Sequence, residues 1–286
     1  MKKFITLIYL LTTPLLSQDI LPLRERASLI DQIQKERIEK LLPKLMKEQD
    51  IDVWVMITRE YNEDPIVKTL LPPTWLNARR RTIIVFSKTE NGIEQVAISR
   101  YNFGKNIRSI WNKEQQPNQW KALSDYILSQ NPQKIGVNMS EYYGIVDGLA
   151  KTDYDGLIQA LPSKFKKRIV SAETLGVRWI ETRTSLEMKL YSQLVQITHN
   201  IIGEAFSTKV ITPGVTKTDD VVWWMREKVL NLGLKTWFHP TVDIQRSGQS
   251  DLYGFDGKPK FDIISGQDLL LLRFISHYFK VPIYYD

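Results

Sequence analysis

One stretch of the sequence, residues 184–205, carries an unbroken apolar stripe at helical spacing behind a helix-start signal. Thr184 and Glu187 stand three residues apart, so each side chain can satisfy a backbone donor of the first turn. A chain with such a stripe must bury it against a second element. The apolar residues recur at steps of three or four, the period of a helix face and not of a strand: Leu186, Leu190, Leu194, Ile197, Ile201 and Ala205.

A second helix and a strand are predicted immediately after this stripe. Residues 212–214, Thr-Pro-Gly, end the first helix, and Thr216 and Asp219 repeat the capping spacing. Gly233 suits the left-handed conformation that ends many helices, and residues 236–244 are expected to follow as a strand. The second apolar stripe consists of Val222, Met225, Val229 and Leu232.

The preceding half of the chain predicts an α/β layer fold, because helical and strand patterns alternate along it. A helix is expected over residues 29–49, bent or restarted at Pro43, and another over residues 117–128. Two short helices are expected over residues 140–149 and 153–160. The predicted strands, which are short apolar runs between turn residues, cover residues 51–57, 82–86, 93–99, 134–138 and 169–171.

Three sequence blocks resemble the creatinase, aminopeptidase P and methionine aminopeptidase group, the pita-bread metallopeptidases, and most closely its secreted bacterial Xaa-Pro aminopeptidase-like branch. The blocks are WIETRTSLEMKLYSQ at 179–193, EAFSTKVITPGVTKTDDVVWW at 204–224 and TWFHPTVDIQR at 236–246. The resemblance implies a creatinase-type N-terminal domain, a mixed sheet with flanking helices, over residues 18–176. It also implies the first part of a pita-bread α+β catalytic domain over residues 177–286.

The first 17 residues predict a secretory signal peptide. Lys2 and Lys3 give a basic start, an apolar run covers residues 4–16, and the small Ser17 precedes a polar residue. The run is too short to span a bilayer, and the alternative is an amphipathic or buried N-terminal segment. We therefore expect an exported protein, periplasmic or secreted, and no transmembrane segment elsewhere.

The composition excludes several kinds of site. The absence of cysteine excludes disulfides, a thiolate nucleophile and a cysteine-based zinc site. The formal net charge of +7 is modest and interleaved with acidic residues, so it favours solubility over nucleic-acid binding, and no nucleic-acid partner is predicted. The sharpest basic cluster is Arg-Arg-Arg at residues 79–81, which we interpret as a solvated approach to the next strand rather than a phosphate site.

An acidic group, Glu60, Glu63 and Asp64, lies in the sequence REYNEDP. Carboxylates can ligate a hard cation, but this spacing fits no regular cation-binding loop. Pro65 favours a turn capped by Asp64, so we expect structural or surface roles. Because the corresponding loop of dimeric family members often lies near the partner's active site, the resemblance keeps a peripheral substrate contact open.

The sequence contains three histidines. His199 lies one step off the apolar stripe of the first helix, and a surface position is expected. His239 follows aromatic residues at the start of the predicted strand 236–244, where its imidazole could donate to a substrate carbonyl. We predict His239 as the catalytic candidate, with a structural hydrogen bond as the alternative. His277 receives no functional role.

The resemblance also implies a metal centre that this sequence does not complete. Family members hydrolyse the bond before proline with water held between two divalent ions, Mn or Zn, ligated by two aspartates, a histidine and two glutamates. The first aspartate belongs to a strand reading D-L-L-H-x-D-F-G, whereas residues 268–275 read DLLLLRFI. Arg273 occupies the aspartate position and Ile275 the glycine position. A guanidinium there would add positive charge beside two cations, so we predict no metal ligands and expect that this chain does not bind the two ions.

Two functional hypotheses follow. The first is an Xaa-Pro aminopeptidase-like metallopeptidase, with proline-containing peptides as partners and inactive in the chain as given. Residues 271–286 match no family pattern, and a C-terminally truncated or frameshifted reading frame is the simplest account of them. The second is a non-enzymatic peptide-binding or dimerisation module built on the N-terminal domain, which allows a homodimer.

Overall fold

A long helical arm opens the part of the chain that the structure describes. The structure is a computed structural model, and it describes residues 20–236, 238–247, 262–274 and 276–277. Helix α1 (Leu23–Glu36) continues through one π-helical turn (Arg37–Leu41) into α2 (Leu42–Glu48). The predicted helix over residues 29–49 is confirmed and begins earlier. Its restart at Pro43 is confirmed too, because proline fits the first turn of α2, where its missing N–H costs no hydrogen bond.

A mixed six-stranded sheet forms the centre of the N-terminal half, in the order β4-β3-β2-β1-β5-β6. The β1–β2 and β2–β3 pairs are antiparallel, and the other three pairs are parallel. The predicted strands are confirmed with shifted ends, and the two-residue β4 was not predicted. The strands are β1 (Val53–Arg59), β2 (Arg81–Thr89), β3 (Gly92–Ile98), β4 (Arg108–Ser109), β5 (Ile135–Val137) and β6 (Ile169–Ser171).

Both faces of this sheet are buried. Along β1, Trp54 and Met56 enter one hydrophobic cluster, whereas Val55 and Ile57 enter the cluster on the opposite face. The first cluster is closed by α2, α3 (Pro65–Leu70) and α7 (Glu173–Glu181). The second cluster is closed by three helices, α4 (Gln119–Gln130), α5 (Lys151–Ala160) and α6 (Ser163–Lys166).

A third hydrophobic cluster lies among the helix pair and the strands that follow it. Both predicted helices are confirmed, as α8 (Ser185–Ala205) and α9 (Thr218–Asn231), but α8 ends at Ala205, before the Thr-Pro-Gly sequence that was predicted to end it. Gly233 has the expected positive φ of 65°. The strands form two small antiparallel pairs, β7 with β10 and β8 with β9. Their bounds are β7 (Lys235–Thr236), β8 (Thr241–Gln245), β9 (Leu269–Arg273) and β10 (Ser276–His277).

A buried ion pair joins the helical arm to the start of α8. Arg37, 1% exposed, pairs with Glu187 at 2.8 Å and lies over the Trp179 ring at 4.3 Å. The same guanidinium donates to the backbone carbonyls of Trp179 and Thr182. The predicted capping box is confirmed, because Glu187 also accepts the N–H of Thr184 at 2.7 Å. Glu187 therefore makes two contacts at once: it caps the start of α8 through Thr184, and it pairs with Arg37, which is far away in the sequence.

The predicted start of the second helix is wrong by one residue. The helix is capped by the pair Lys217 and Asp220, in which the Lys217 N–H donates to Asp220 at 2.9 Å. The Thr216 hydroxyl is already used in the preceding turn, where it accepts the N–H of Thr212 at 2.8 Å. Thr216 therefore stabilises the turn and not the helix.

Two other predicted elements are also wrong. The strand over residues 236–244 is divided into β7 and β8, because Pro240 has no N–H and a strand ladder cannot continue through it. Of residues 140–149, only Gly144–Val146 are helical, as one 3-10 turn. The Ser140 hydroxyl accepts the N–H groups of Tyr142 and Tyr143, as a helix cap would, but Tyr143 is extended, with a φ of −115° and a ψ of 94°, so the turn does not continue as a helix.

Replacing Gly203 with alanine is expected to raise the free energy of unfolding by about 0.5–1 kcal/mol. Gly203 lies within α8, and an added Cβ would meet nothing within 4 Å. The gain comes from the lower backbone entropy of alanine in the unfolded chain. Urea unfolding followed by tryptophan fluorescence measures it, and a loss of stability would contradict the helical geometry at this position.

None of the helices in the described ranges has the length and hydropathy to span a bilayer. The predicted signal peptide, residues 1–17, lies outside the described residues, as do Trp237 and residues 278–286.

Candidate functional site

The β8–β9 hairpin presents one buried and one open face. Directly opposed residues share a face, and the register pairs Thr241 with Arg273 and Asp243 with Leu271. Val242 and Ile244 are buried in the third cluster, and Leu270 and Leu272 pack partly against it. The opposite face, hereafter the open face, therefore carries the remaining residues: Thr241, Asp243, Gln245, Leu269, Leu271 and Arg273.

Asp268, the acidic residue immediately before β9, forms a local ion pair. Both oxygens of Asp268 accept from Arg246, at 2.7 and 2.8 Å, and one also accepts the N–H of Ser265. The hydrogen bond from Arg246 holds the pKa of Asp268 below its ordinary value. Asp268 closes the turn before β9 and does not add a carboxylate to the open face.

His239 lies at the surface just before β8, beside helix α9. Its Nδ1 is 3.0 Å from Nη1 of Arg226, and its ring meets the half-exposed Trp223 edge to face at 5.2 Å. This is a histidine, arginine and tryptophan group at the N-terminal end of β8. Its catalytic role stays a prediction. His199 is exposed on α8 as predicted, and the side chain of His277 lies outside the described residues.

The three acidic residues of REYNEDP do not converge on one point. Glu60 accepts the N–H of Arg80, and Glu63 accepts the N–H of Ala78. Asp64 is fully buried, and its Oδ1 accepts the N–H groups of Ile66 and Val67 at the start of α3. The structural roles predicted for this group, including the cap at Asp64, are confirmed.

Three of the solved structures that superpose on this chain are peptidases by name. An Xaa-Pro dipeptidase from Bacillus anthracis superposes with a TM-score of 0.51 at 16% identity. The match covers 91% of this chain and 62% of the dipeptidase. A protein classed as an aminopeptidase P from the same organism superposes with a TM-score of 0.55 at 11% identity. The match covers 85% of this chain and 62% of that protein. Aminopeptidase P from E. coli, solved with the inhibitor Pro-Leu, superposes with a TM-score of 0.50 at 10% identity. The match covers 89% of this chain and 60% of that protein. This chain has the creatinase fold.

The creatinase fold is thus shown by structure alone. No protein-family model matches the sequence, and no curated protein matches it. The chain spans between 60% and 62% of the length of the three solved structures. The α/β class and the creatinase-type sheet with flanking helices, both predicted from the sequence, are confirmed.

Two divalent ions, which the creatinase fold implies, do not fit the donors of the open face. Within the described ranges, no group of three or more histidine, aspartate or glutamate side chains is placed to hold a metal ion. Asp243 is the one carboxylate on the open face of the described hairpin, and Arg273 lies diagonally across from it. Paired cations need several anionic ligands to offset their charge, whereas this face offers one carboxylate and one guanidinium.

Two features of this creatinase fold were missed by sequence reasoning. One is a buried chain in which Trp54 donates to Asn138 at 2.7 Å and Asn138 donates to Asp64 at 2.8 Å. The other is a cavity of about 580 Å³ whose lining includes Arg79, Arg80, Arg81 and Arg100. The run of three arginines was visible in the sequence, but the left-handed backbone at Arg80, which lets all three line one cavity, was not.

Proposed function

We propose that this chain is an Xaa-Pro aminopeptidase-like protein that does not hydrolyse peptides through a two-metal centre. The creatinase fold supports the relation to proline-directed peptidases, and proline-containing peptides are the proposed partners. The single observation that carries the absence of hydrolysis is Arg273 on the open face, close to Asp243. Its positive charge opposes the binding of paired cations at that position.

An assay of the full chain with an Xaa-Pro peptide and added Mn²⁺ or Zn²⁺ tests this proposal. We expect no release of the N-terminal residue above the rate of a heat-denatured sample. Turnover that is abolished by a chelator and restored by the metal would contradict it. An active aminopeptidase P assayed in parallel shows that the substrate and the metal are adequate.

Replacing Arg273 with aspartate is expected to raise the affinity for Mn²⁺ at least about tenfold, because it places a second carboxylate diagonally across from Asp243. The change also alters the charge of the open face by two units. Isothermal titration calorimetry with Mn²⁺ measures the effect. Arg273→Gln is the matched control, since it removes the positive charge without adding a ligand, and equal affinities for both variants would contradict the geometry.

The second candidate, a peptide-binding or dimerisation module in the N-terminal half, is supported by the separate cores. Two hydrophobic clusters enclose the six-stranded sheet, whereas the third lies among elements after residue 184. Helix α7 belongs to the first of them, since Trp179 and Ile180 are buried there. Limited proteolysis that leaves a stable fragment ending just after Glu181 would favour the module, and uniform protection beyond it would favour one integrated unit.

A further inference from the structure

A cavity at one end of the central sheet gathers an unusual concentration of arginine. It lies where β2 begins and β3 ends, and its volume of about 580 Å³ falls within the range of small-molecule sites. Four arginines and one carboxylate, Glu60, are the charged residues of its lining. The cavity belongs to the N-terminal half and shares no lining residue with the β8–β9 hairpin.

The backbone at Arg80 explains how three consecutive arginines reach one cavity. In an extended strand, successive side chains point to opposite faces, so Arg80 would point away from Arg79 and Arg81. Arg80 instead has a φ of 49°, which is uncommon for a residue with a side chain. This conformation breaks the alternation, and all three residues line the cavity. Left-handed residues of this kind cost free energy and concentrate at functional sites.

The positive charge of the cavity is not balanced from within the described chain. The guanidinium groups of Arg79, Arg80 and Arg100 form no hydrogen bond or ion pair with described residues. The carboxylate of Glu60 contacts the backbone N–H of Arg80 and not a guanidinium. A cavity with this excess of fixed positive charge attracts anions.

Arg81 adds a partly buried charge at the inner end of the arginine run. Its Nη1 is 3.8 Å from Asp153, but Asp153 already accepts two short bonds from Arg59, at 2.7 and 2.8 Å. The Nε of Arg81 is buried without a hydrogen-bond partner among the described residues. Burial lowers the pKa of Arg81, and the attraction of Asp153, which raises it, is smaller than the effect of burial.

Three aromatic residues, Trp75, Tyr101 and Trp111, form part of the wall, and aromatic rings stack on two of the arginines. The guanidinium of Arg79 lies over Trp75 at 4.8 Å and near Tyr101 at 5.6 Å. The guanidinium of Arg81 lies over Trp120 at 4.5 Å. Stacking occupies the face of a guanidinium and leaves its N–H edge for the oxygens of a carboxylate or a phosphate. Trp111 adds a further aromatic ring to the lining, which also contains the polar residues Thr82, Ser99 and Gln119.

We propose that this cavity binds a small organic anion, a carboxylate or phosphate group carried on an apolar or aromatic body. The oxyanion lies against Arg79, Arg81 and Arg100, and the body lies against the aromatic wall. The site is independent of the proposed function, because no metal centre and no peptide hydrolysis enters the argument.

Calorimetric titration of the full chain with phenyl phosphate and, separately, benzoate tests the site at an ionic strength of about 0.15 M, which screens diffuse surface attraction. We expect at least one probe to bind, and the tighter one identifies the charged group. Arg79→Gln and Arg100→Gln are each expected to weaken that binding at least about tenfold, since each removes a charge-assisted donor. Both residues are exposed, so the variants should keep the urea midpoint of the parent.

Arg24→Gln is the matched control, because it removes one exposed arginine of α1 outside the cavity. Unchanged affinity in this variant supports a defined site. The proposal is overturned if neither probe binds at millimolar concentration, or if Arg24→Gln weakens binding as much as Arg79→Gln. Inorganic phosphate that binds as tightly as phenyl phosphate would also overturn it, because the aromatic wall would then contribute nothing.

Discussion

Replacing Glu187 with glutamine is expected to lower the free energy of unfolding by about 3–5 kcal/mol, the usual cost of removing one partner from a buried ion pair. The side chains of Arg37 and Glu187 are 2% and 8% exposed, so water cannot take over the role of the lost carboxylate. The Arg37 charge would remain buried against two backbone carbonyls and the Trp179 ring. Urea unfolding measures the change.

Two control variants separate the ion pair from other effects. Thr184→Ala removes the hydroxyl of the capping box together with the γ-methyl group, keeps the Arg37–Glu187 pair, and is expected to cost about 1 kcal/mol. Asp125→Asn breaks an exposed pair with Lys121, whose side chains are 57% and 53% exposed, and is expected to cost less than about 0.5 kcal/mol. A loss for Glu187→Gln no larger than that for Thr184→Ala would show that the pair contributes little.

The same junction shows how far the sequence predicts this fold. Thr184 and Glu187 stand three residues apart, so the cap and the helix could be predicted from local spacing. The partner of Glu187 is 150 residues away, and nothing in the local pattern of Arg37 distinguishes it from a surface arginine. Contacts of this kind depend on how two distant helices meet, which the sequence pattern does not encode.

The mistaken boundaries have a related cause. Side chains that can satisfy backbone groups in more than one way, such as the hydroxyls of Ser140 and Thr216, formed turns where a helix or its cap was expected. Propensity and spacing describe what a residue is able to do, whereas the neighbouring loop decides which option is used. Pro240 was the one signal in the sequence that could have predicted the division between β7 and β8.

Of the two candidate sites, the sequence predicted the altered metal position at Arg273 but not the arginine cavity, and the difference has a physical reason. The substitution at Arg273 could be seen in the sequence because one strand carries the whole family motif. The arginine cavity could not, because it needs the left-handed backbone at Arg80, which the run of arginines does not announce in the sequence. A site whose residues lie within one strand or helix can be predicted from their order along the sequence. A site formed between several strands or helices depends on the tertiary fold.

Acidification from pH 7 to pH 5 is expected to stabilise the protein by about 1.4 kcal/mol through Asp64 alone, since one pKa unit corresponds to that energy. Burial raises the pKa of Asp64 to about 6, although hydrogen bonds from Asn138, Val67 and Ile66 lower it. Asp147 is the charged neighbour that raises it further. In the unfolded chain, Asp64 returns to its ordinary value of 3.8.

The sign follows from which state holds the proton. Between pH 4 and 6 the folded chain keeps the proton of Asp64 while the unfolded chain has lost it, so stability falls as the pH rises through this window. Asp64 is half ionised at its pKa of about 6, and about one pH unit higher the buried charge is nearly complete, so its cost hardly changes further. Other carboxyls with lowered pKa values, such as Asp50 and Asp268, change stability in the opposite direction.

Asp64→Asn isolates this contribution, because asparagine also caps helices but carries no charge. Urea unfolding of the parent and of Asp64→Asn at pH 7 and pH 5 gives the change in the free energy of unfolding with pH for each protein. The difference between these two changes removes the contributions of the other carboxyl groups, which both proteins share. The parent should gain about 1.4 kcal/mol relative to the variant on acidification. Asp50→Asn, at an exposed position, should not remove this gain. If parent and Asp64→Asn respond identically to pH, the hydrogen bonds from Asn138 and the start of α3 outweigh burial, and Asp64 is a stabilising carboxylate at neutral pH.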